Sequence, residues 1–217
     1  MVVIIMLFKN RIDAGERLGE LLSPYKGEDV IVYALPRGGV ILGRVIADSL
    51  DAPLSLLFIK KIGHPLNPEY GICAIGEHGE MVCNDYEVEG LEGAWLAEAS
   101  LKAKDEIKRQ RLTYIGNSTQ PDPRGKVVIL VDDGIATGLS MIAAIKDMKE
   151  RGPKKILVAI PVIPFDTARR LKSMCDDIVS VKVDSYYLGA VGMYYMNFDQ
   201  VSDEEVILAL KRGDGDI

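Results

Sequence analysis

From position 127 to position 140 the chain reads Val127-Val-Ile-Leu-Val-Asp-Asp-Gly-Ile-Ala-Thr-Gly-Leu-Ser140. Its first five residues are apolar, and three of them are valine, which is typical of a central parallel strand buried on both faces. Two adjacent acids, Asp132 and Asp133, follow directly, and a loop of small residues then leads into helical spacing. Because open α/β sheets bind ligands at the carboxyl ends of their strands, we expect a ligand here.

The small-residue loop predicts a phosphate site. Unpaired N–H groups and the dipole of the following helix attract an anion, and Gly138 lets the main chain approach it closely. The hydroxyls of Thr137 and Ser140 add donors. Carboxylates repel a phosphate, so we interpret Asp132 and Asp133 as acceptors for vicinal hydroxyls, or as holders of magnesium through water. The alternative is that they cap the helix, but capping needs at most one acid. The loop lacks both the ending of a Walker A motif and the glycine spacing of a dinucleotide fingerprint.

The rest of the chain alternates strand-like and helix-like segments, which predicts a parallel sheet covered by helices on both faces. Strands are predicted at 30–35, 54–59, 127–131, 155–160 and 178–183, and helices at 40–50, 137–151, 166–175 and 203–211. Ser202 and Glu205 are spaced as a capping box for the last helix.

Between the second and third strands the sequence predicts an insertion. Residues 60–70 are expected to form a loop, and residues 71–84 a hairpin that turns near 77–80. Residues 91–114 are expected to form a charged helix with apolar positions at Leu91, Trp95, Leu101, Ile107 and Leu112. We interpret the basic residues near its far end as a solvated face.

Composition restricts the class of partner. The chain has 217 residues, of which 48% are hydrophobic and 27% charged, with a formal net charge of −6. Such a balance is ordinary for a globular protein with a full core and argues against generic binding to nucleic acid or an anionic membrane. Positions 1–8 are apolar but lack the features of a signal peptide, and Met6 is an alternative start. Cys73 and Cys83 can face each other across the hairpin, but we expect the three cysteines to be reduced thiols in a cytoplasmic protein.

The segment 127–140 resembles the PRPP-binding signature of the type I phosphoribosyltransferases (PRPP, 5-phosphoribosyl 1-pyrophosphate). The resemblance implies that Asp132 and Asp133 bind the ribose hydroxyls. It also implies that the loop that binds the 5-phosphate consists of Ala136, Thr137, Gly138, Leu139 and Ser140, and that Gly134 and Ile135 are further PRPP-binding positions. The family usually has a second Thr or Ser near the end of the loop; here Leu139 precedes Ser140, which would take that role.

Two further segments are similar to the family. Leu35-Pro36-Arg37-Gly38-Gly39 ends the first strand, where the family has its pyrophosphate-binding loop, which implies contacts from Arg37 and Gly38. Arginine suits this role because its fork binds phosphate oxygens bidentately, although an ordinary turn with a surface arginine is the alternative. The family also has a mobile loop, often opened by a basic pair, that closes over pyrophosphate; Lys61 is our first candidate for this contact and Lys60 the second. The implied catalytic set is Asp132, Asp133, Arg37 and Lys61.

Aromatic residues near the end of the chain are candidates for the acceptor site. Tyr194, Tyr195 and Phe198 lie between the last predicted strand and the last helix. Their rings can stack on a flat acceptor such as a nucleobase, or they can pack in the core.

The resemblance extends along the chain, through Phe8 to Gly15, Lys60 to Gly63 and Phe198 to Gln200, to a group of predicted phosphoribosyltransferases whose acceptor is not assigned. It implies an α/β type I phosphoribosyltransferase fold in one domain, 1–217, with a mainly parallel central sheet flanked by helices, a small hood and a hairpin/long-helix insertion. The implied reaction moves ribose 5-phosphate from PRPP to a nitrogen acceptor with Mg²⁺ as cofactor, in a cytoplasmic homodimer. A PRPP-binding regulatory module without transfer activity is the alternative, and reaction with another phosphorylated sugar a third.

Overall fold

A computed structural model describes residues 7–211 of the chain. The interpretation of positions 1–8 and the choice of Met6 as a start therefore concern residues that lie largely outside the described part. The described residues form the helices α1 (Arg11–Leu22), α2 (Gly38–Leu50), α3 (Asp85–Val88), α4 (Gly93–Ile115), α5 (Leu139–Glu150), α6 (Phe165–Lys172) and α7 (Asp203–Lys211). They also form the strands β1 (Val30–Ala34), β2 (Leu54–Leu56), β3 (Ile59–His64), β4 (Asn67–Gly76), β5 (Met81–Cys83), β6 (Val127–Val131), β7 (Lys155–Pro164) and β8 (Asp177–Asp184).

The central sheet has five parallel strands in the order β2-β1-β6-β7-β8. Strands β1 and β6 are buried along their whole length and pair in register, from Val30 beside Val127 to Ala34 beside Val131. Helices pack against both faces over two hydrophobic clusters, with α5 on one face and α1 and α2 on the other. The predicted α/β fold with a mainly parallel sheet flanked by helices is thus confirmed. Its register places the segment after β1 directly beside the one after β6.

The segment 60–70 is not the loop that we predicted. Strands β3 and β4 pair antiparallel across it, and β5 extends this second sheet to the order β3-β4-β5. Ile62, Ile72 and Ile75 are buried beneath the hairpin and provide the apolar contacts that fold it onto the domain. The predicted hairpin at 71–84 is confirmed as β4 and β5, whereas the second parallel strand ends at Leu56 rather than at 59.

Helix α4 is confirmed, but its buried face differs from the one predicted. Leu101 and Leu112 are 63% and 64% exposed, while Ala103, Ile107 and Tyr114 are buried. The spacings of four and seven residues between the buried positions match the helical period, so these three side chains share one face. This face packs towards β3, β4 and α7.

Cys73 and Cys83 form a disulfide, so the expectation that all three cysteines are reduced is wrong. The two residues are direct partners in the antiparallel pairing of β4 with β5, and their Cα atoms lie 4.0 Å apart. Cys175 is a free thiol, and burial raises its pKa to about 11. Among the described residues, no helix combines the length and the apolar character that crossing a lipid bilayer requires.

Candidate functional site

The site is a cleft of about 440 Å³ at the carboxyl edge of the central sheet. Because β1 and β6 end side by side, the turn after β1 and the acids after β6 face the same space; the N–H of Leu35 still donates to the carbonyl of Val131 at 2.9 Å. The cleft is lined by Leu35, Pro36, Arg37, Gly38, Ile59, Lys60, Lys61, Gln110, Asp132, Asp133, Gly134, Ala136, Ser140, Val191 and Phe198. Most of the predicted polar site residues therefore share one cavity.

Asp132 and Asp133 form a pair of adjacent carboxylates with little access to water. Burial raises the pKa of Asp132, and the adjacent Asp133 raises it further. The backbone N–H of Asp133 donates to Asp132 Oδ1 at 2.9 Å and fixes that carboxylate. Two neighbouring buried acids are stable in their ionised form only when hydroxyl donors or a cation compensate them. The pair is therefore suited to binding a ligand of that kind.

Arg11, at the start of α1, is the nearest compensating charge. Its Nε and Nη2 atoms both lie 2.9 Å from Asp133 Oδ2, and both side chains are largely buried. Burial raises the pKa of Asp133, while the Arg11 guanidinium acts against that rise. Asp133 Oδ1 is not part of this ion pair and stays available for another partner.

The turn after β1 brings Arg37 and Gly38 to the cleft. The Pro36–Arg37 peptide is cis, and α2 begins at Gly38. Gly38 lies so close to Asp133 that a Cβ atom there would be 1.9 Å from Oδ2. The absence of a side chain is thus required for the turn and the acid to meet.

Arg37 forms an ion pair with Asp203, the first residue of α7. Its Nη1 lies 3.5 Å from Asp203 Oδ1, and Asp203 also accepts a hydrogen bond from the Tyr114 hydroxyl at 2.6 Å. The Tyr114 bond and the Arg37 charge both lower the pKa of Asp203. The predicted capping box is confirmed, since Ser202 and Glu205 exchange hydrogen bonds of 2.8 and 3.2 Å and so fix the start of α7.

The loop from 134 to 140 leads from β6 into α5, and Gly134, Ala136 and Ser140 in it line the cleft. The N–H of Ile135 is already bonded to the carbonyl of Val162 at 3.1 Å, but the N–H groups of 136–140 are not used in backbone hydrogen bonds with the described residues. Gly138 has a positive φ of 80°, and a Cβ there would be 2.7 Å from Thr167. Five successive free donors at a helix N-terminus are a suitable binding site for a phosphate.

The side chains of this loop divide into two groups. Ile135 and Leu139 are buried in the core, so they offer only main-chain atoms to a ligand. Ala136 and Ser140 line the cleft, and Thr137 is exposed beside them. The hydroxyls of Thr137 and Ser140 thus remain near the free N–H groups, as the sequence predicts.

Lys60 and Lys61 lie on β3 rather than in a loop, and both line the cleft. The Lys61 charge acts against the rise in pKa of both Asp132 and Asp133. Lys60 is directed towards α4, with its Nζ 4.0 Å from Glu106 Oε1. The structure therefore favours Lys61 over Lys60 as the group next to the acids.

Two of the three aromatic candidates are core residues. Tyr194 and Tyr195 are 4% and 2% exposed; the Tyr195 hydroxyl donates to the backbone carbonyl of Asp133 at 2.6 Å, and that of Tyr194 to Asp184 at 2.7 Å. For these two rings the packing alternative holds, and stacking on an acceptor is wrong, because no face of a buried ring is open. Phe198 does line the cleft, beside Val191.

Sequence reasoning gave no site role to several residues of this region, among them Arg11, Gln110 and Val191. Arg11 lies in the run from 8 to 15 that carries part of the family resemblance, but its spacing gives no sign of a partner at position 133. Gln110 was hidden in the charged pattern of α4, and Val191 in an aromatic segment. Each reaches the site through packing between distant parts of the chain.

The donor set is suited to a hard cation bound partly through a ligand. Within residues 7–211 no three carboxylate, histidine or cysteine side chains are grouped so as to hold a metal alone. One oxygen of each acid stays outside the hydrogen bonds described above, and carboxylate oxygens are the ligands that Mg²⁺ prefers. Since Mg²⁺ keeps several waters and binds substrate phosphates, Asp132 and Asp133 fit a water-mediated role.

Comparison with known proteins agrees with this geometry. The family model described as "Phosphoribosyl transferase domain" matches residues 9–195. A Mycobacterium tuberculosis protein, whose name carries a provisional phosphoribosyl transferase assignment, is 37% identical over 212 residues, which are 97% of this chain and 48% of that protein. The chain thus spans about half the length of the curated relatives that it matches.

Solved structures show the same fold. The crystal structure of the protein TT1426 from Thermus thermophilus is 35% identical, with a TM-score of 0.79 over 97% of this chain and 100% of that one. The AQ2163 protein from Aquifex aeolicus, at 14% identity, shares the fold alone, with a TM-score of 0.50 over 80% of this chain and 74% of that one. With a family model covering most of its length and these acids, turn and loop at one sheet edge, the chain belongs to the phosphoribosyl transferase domain family.

Proposed function

We propose that this protein is a phosphoribosyltransferase that binds PRPP with Mg²⁺ and transfers the 5-phosphoribosyl group to a nitrogen acceptor. The observation that carries the proposal is the arrangement of groups around one cleft. The two acids lead directly into the loop that carries the free N–H groups of 136–140, and Gly38, in the turn that carries Arg37, contacts Asp133. Lys61 lines the same cleft. PRPP has the complementary order of groups: a phosphate, a diol and a pyrophosphate.

Each group then has a role set by its chemistry. The N–H groups of 136–140 and the hydroxyls of Thr137 and Ser140 bind the 5-phosphate. Asp132 and Asp133 accept hydrogen bonds from the ribose 2- and 3-hydroxyls. Arg37 and Lys61 bind the pyrophosphate, and Gly38 lets it approach the backbone.

The reaction breaks the bond between ribose C1 and the pyrophosphate oxygen and forms a bond between C1 and the acceptor nitrogen. Pyrophosphate leaves with the electron pair of the broken bond, and the acceptor nitrogen loses a proton. Positive charge develops at C1, near the acids, while negative charge develops on the leaving group, near Arg37 and Lys61. The protein accelerates transfer by fixing both ends of PRPP and stabilising that separation of charge. When bound, Mg²⁺ supplies further neutralisation of the pyrophosphate.

The acceptor is expected to lie beside Phe198 and Val191, which line the same cleft. An acceptor with a flat apolar face suits these two side chains. A nucleobase is one such molecule. The family membership does not specify which one.

Two measurements test the proposal in sequence. Titration calorimetry with PRPP and Mg²⁺ is expected to show binding, and the double variant Asp132→Asn with Asp133→Asn is expected to abolish it. A pyrophosphate-release screen over purines, pyrimidines and other nitrogen acceptors then identifies the reaction. Absence of binding at millimolar PRPP contradicts the proposal, as does activity that persists in the double variant. Binding without pyrophosphate release from any acceptor supports a regulatory module instead.

A further inference from the structure

We infer that Arg11 is a positioning residue that holds the Asp133 carboxylate for the ribose diol and couples it to the acceptor side of the cleft. The inference rests on the proposed function. It is carried by four contacts of one guanidinium group, described below, and not by the sequence pattern. Arg11 is not expected to touch PRPP itself.

The first two contacts orient Asp133. Nε and Nη2 of Arg11 both approach Oδ2 at 2.9 Å, so a single oxygen takes both donors and the other, Oδ1, remains for a ligand. The side chain of Arg11 is 12% exposed and that of Asp133 17%. An ion pair this far from bulk water is geometrically defined, because each partner lacks water as a substitute.

The third contact connects Arg11 to the segment that carries Phe198. Its Nη1 donates to the backbone carbonyl of Asp199 at 2.7 Å. The segment before Asp199 is itself bonded to the start of the chain, since the N–H of Asn197 donates to the carbonyl of Lys9 at 3.0 Å. Arg11 therefore lies where the segment around Lys9 meets the segment 197–199.

The fourth contact involves Phe198, a candidate acceptor residue. The guanidinium carbon of Arg11 lies 4.0 Å from the centroid of the Phe198 ring, which is cation–π distance. The tilted ring of Tyr195 lies against Phe198 as well, at 4.7 Å between centroids. The same arginine thus orients Asp133, which we expect to bind the ribose, and contacts Phe198, which we expect to contact the acceptor.

Other charged and titratable groups around Asp133 do not duplicate this arrangement. Asp132 is of like charge, and Lys61 contributes a positive charge from β3. Tyr195 donates to the backbone carbonyl of Asp133 and not to its carboxylate, and Tyr187 is near enough for the acid to affect its pKa. Arg11 is therefore the side chain, among the described residues, that donates to the Asp133 carboxylate.

The consequence is a ligand-selective effect. If Arg11 acts through Asp133, its removal weakens binding of molecules that contain the ribose diol. Inorganic pyrophosphate, which we expect at Arg37 and Gly38, does not need Asp133 and is bound as before. A purely structural role for Arg11 predicts that both affinities fall together.

The test uses calorimetry of the full chain with Mg²⁺ and either PRPP or inorganic pyrophosphate. For Arg11→Gln we expect PRPP affinity to fall by on the order of 10- to 100-fold, as for other residues that orient a binding group, and pyrophosphate affinity to change by less than about 2-fold. Arg11→Lys keeps the charge but not the paired donors and is expected to recover part of the loss. Arg17→Gln is the matched control, because Arg17 lies on the same helix, pairs with Asp13 and does not line the cleft.

The outcomes separate this inference from the proposed function. Failure of the wild-type protein to bind PRPP contradicts the proposed function, and with it this inference. If the wild-type protein binds PRPP and Arg11→Gln binds it with the same affinity, the role of Arg11 is overturned while the proposed function stands. The same holds if Arg11→Gln loses affinity for PRPP and for pyrophosphate in parallel. If Arg11→Gln does not fold, Arg11→Lys is compared with the wild type in the same way. A loss of affinity for PRPP without a loss for pyrophosphate supports the role of Arg11. A PRPP affinity equal to that of the wild type, or equal losses for both ligands, overturns it.

Discussion

Gly38 and Asp133 are so close that a methyl group on Gly38 would overlap the carboxylate, with its carbon 1.9 Å from Oδ2 and 3.0 Å from Nε of Arg11. The glycine thus gives the turn after β1 access to the acid after β6, and it leaves room for the arginine that binds that acid. The three residues come from separate parts of the chain. Their fit brings the turn after β1 into direct contact with the acid after β6.

This contact predicts the effect of Gly38→Ala. We expect the variant to lose at least about 10-fold in PRPP affinity and about 1–3 kcal/mol in the free energy of unfolding, because the added carbon must displace the acid or the turn. Calorimetry and denaturant unfolding measure the two effects. Gly93→Ala is the control, since no atom lies within 4 Å of a Cβ at the start of α4. Unaltered PRPP binding in Gly38→Ala would show that the turn and the acid move independently.

Asp132→Asn is expected to increase stability while it abolishes PRPP binding. Burial raises the folded-state pKa of Asp132 above its value in the unfolded chain, so the ionised side chain destabilises the fold above the unfolded pKa and has no such effect below it. Asparagine is uncharged, and its Oδ1 can still accept the N–H of Asp133. We expect a gain of about 1 kcal/mol, or roughly 2–4 °C in Tm, near pH 8 and none near pH 4.

Thermal unfolding of wild type and Asp132→Asn across this pH range measures the difference directly. The gain should increase as pH rises from the unfolded towards the folded pKa. A difference that is constant with pH would point to a packing effect and contradict the titration of Asp132. Asp122→Asn serves as a control for an acid outside the cleft.

Lys61 and Lys60 are expected to differ although they are adjacent. The Lys61 charge acts against the rise in pKa of Asp132 and Asp133, whereas the Lys60 ammonium lies next to Glu106. We expect Lys61→Ala to lower PRPP affinity by about 10-fold, the effect of one charge-assisted hydrogen bond, and Lys60→Ala by less than about 3-fold. Calorimetry at low and at high salt checks this order. A larger loss in Lys60→Ala would reverse our assignment of the pyrophosphate contact.

Arg37→Lys is expected to impair pyrophosphate binding despite the retained charge. A lysine cannot present two parallel donors to a phosphate, nor reproduce the alignment that Asp203 gives to Arg37. We expect roughly 10-fold weaker pyrophosphate affinity, equivalent to one lost charged hydrogen bond. Arg169→Lys, on the exposed side of α6, is the matched control. Equal affinities in Arg37→Lys and wild type would place pyrophosphate elsewhere.

Local features of the site were predictable because they depend on neighbours in the sequence. A run of valines before two acids predicts where β6 ends, and glycines before a helical pattern predict the free donors of 136–140. Ser202 and Glu205 satisfy the capping geometry at a spacing of three. In these cases the hydrogen bonds and steric limits act over a few residues, so spacing alone is informative.

The sequence by itself determined the five parallel strands, the helices α2, α4, α5, α6 and α7, the acid pair and the small-residue loop that follows it; it did not predict α1 or β3. The tertiary structure alone decided that Arg11 binds an acid 122 positions away, that Gln110 reaches the cleft, and that Tyr194 and Tyr195 are buried. It also decided that residues 59–76 pair as a hairpin. These contacts form only when distant segments of the chain pack together at one edge of the sheet. Which face each segment buries is therefore set by the packing of all of them.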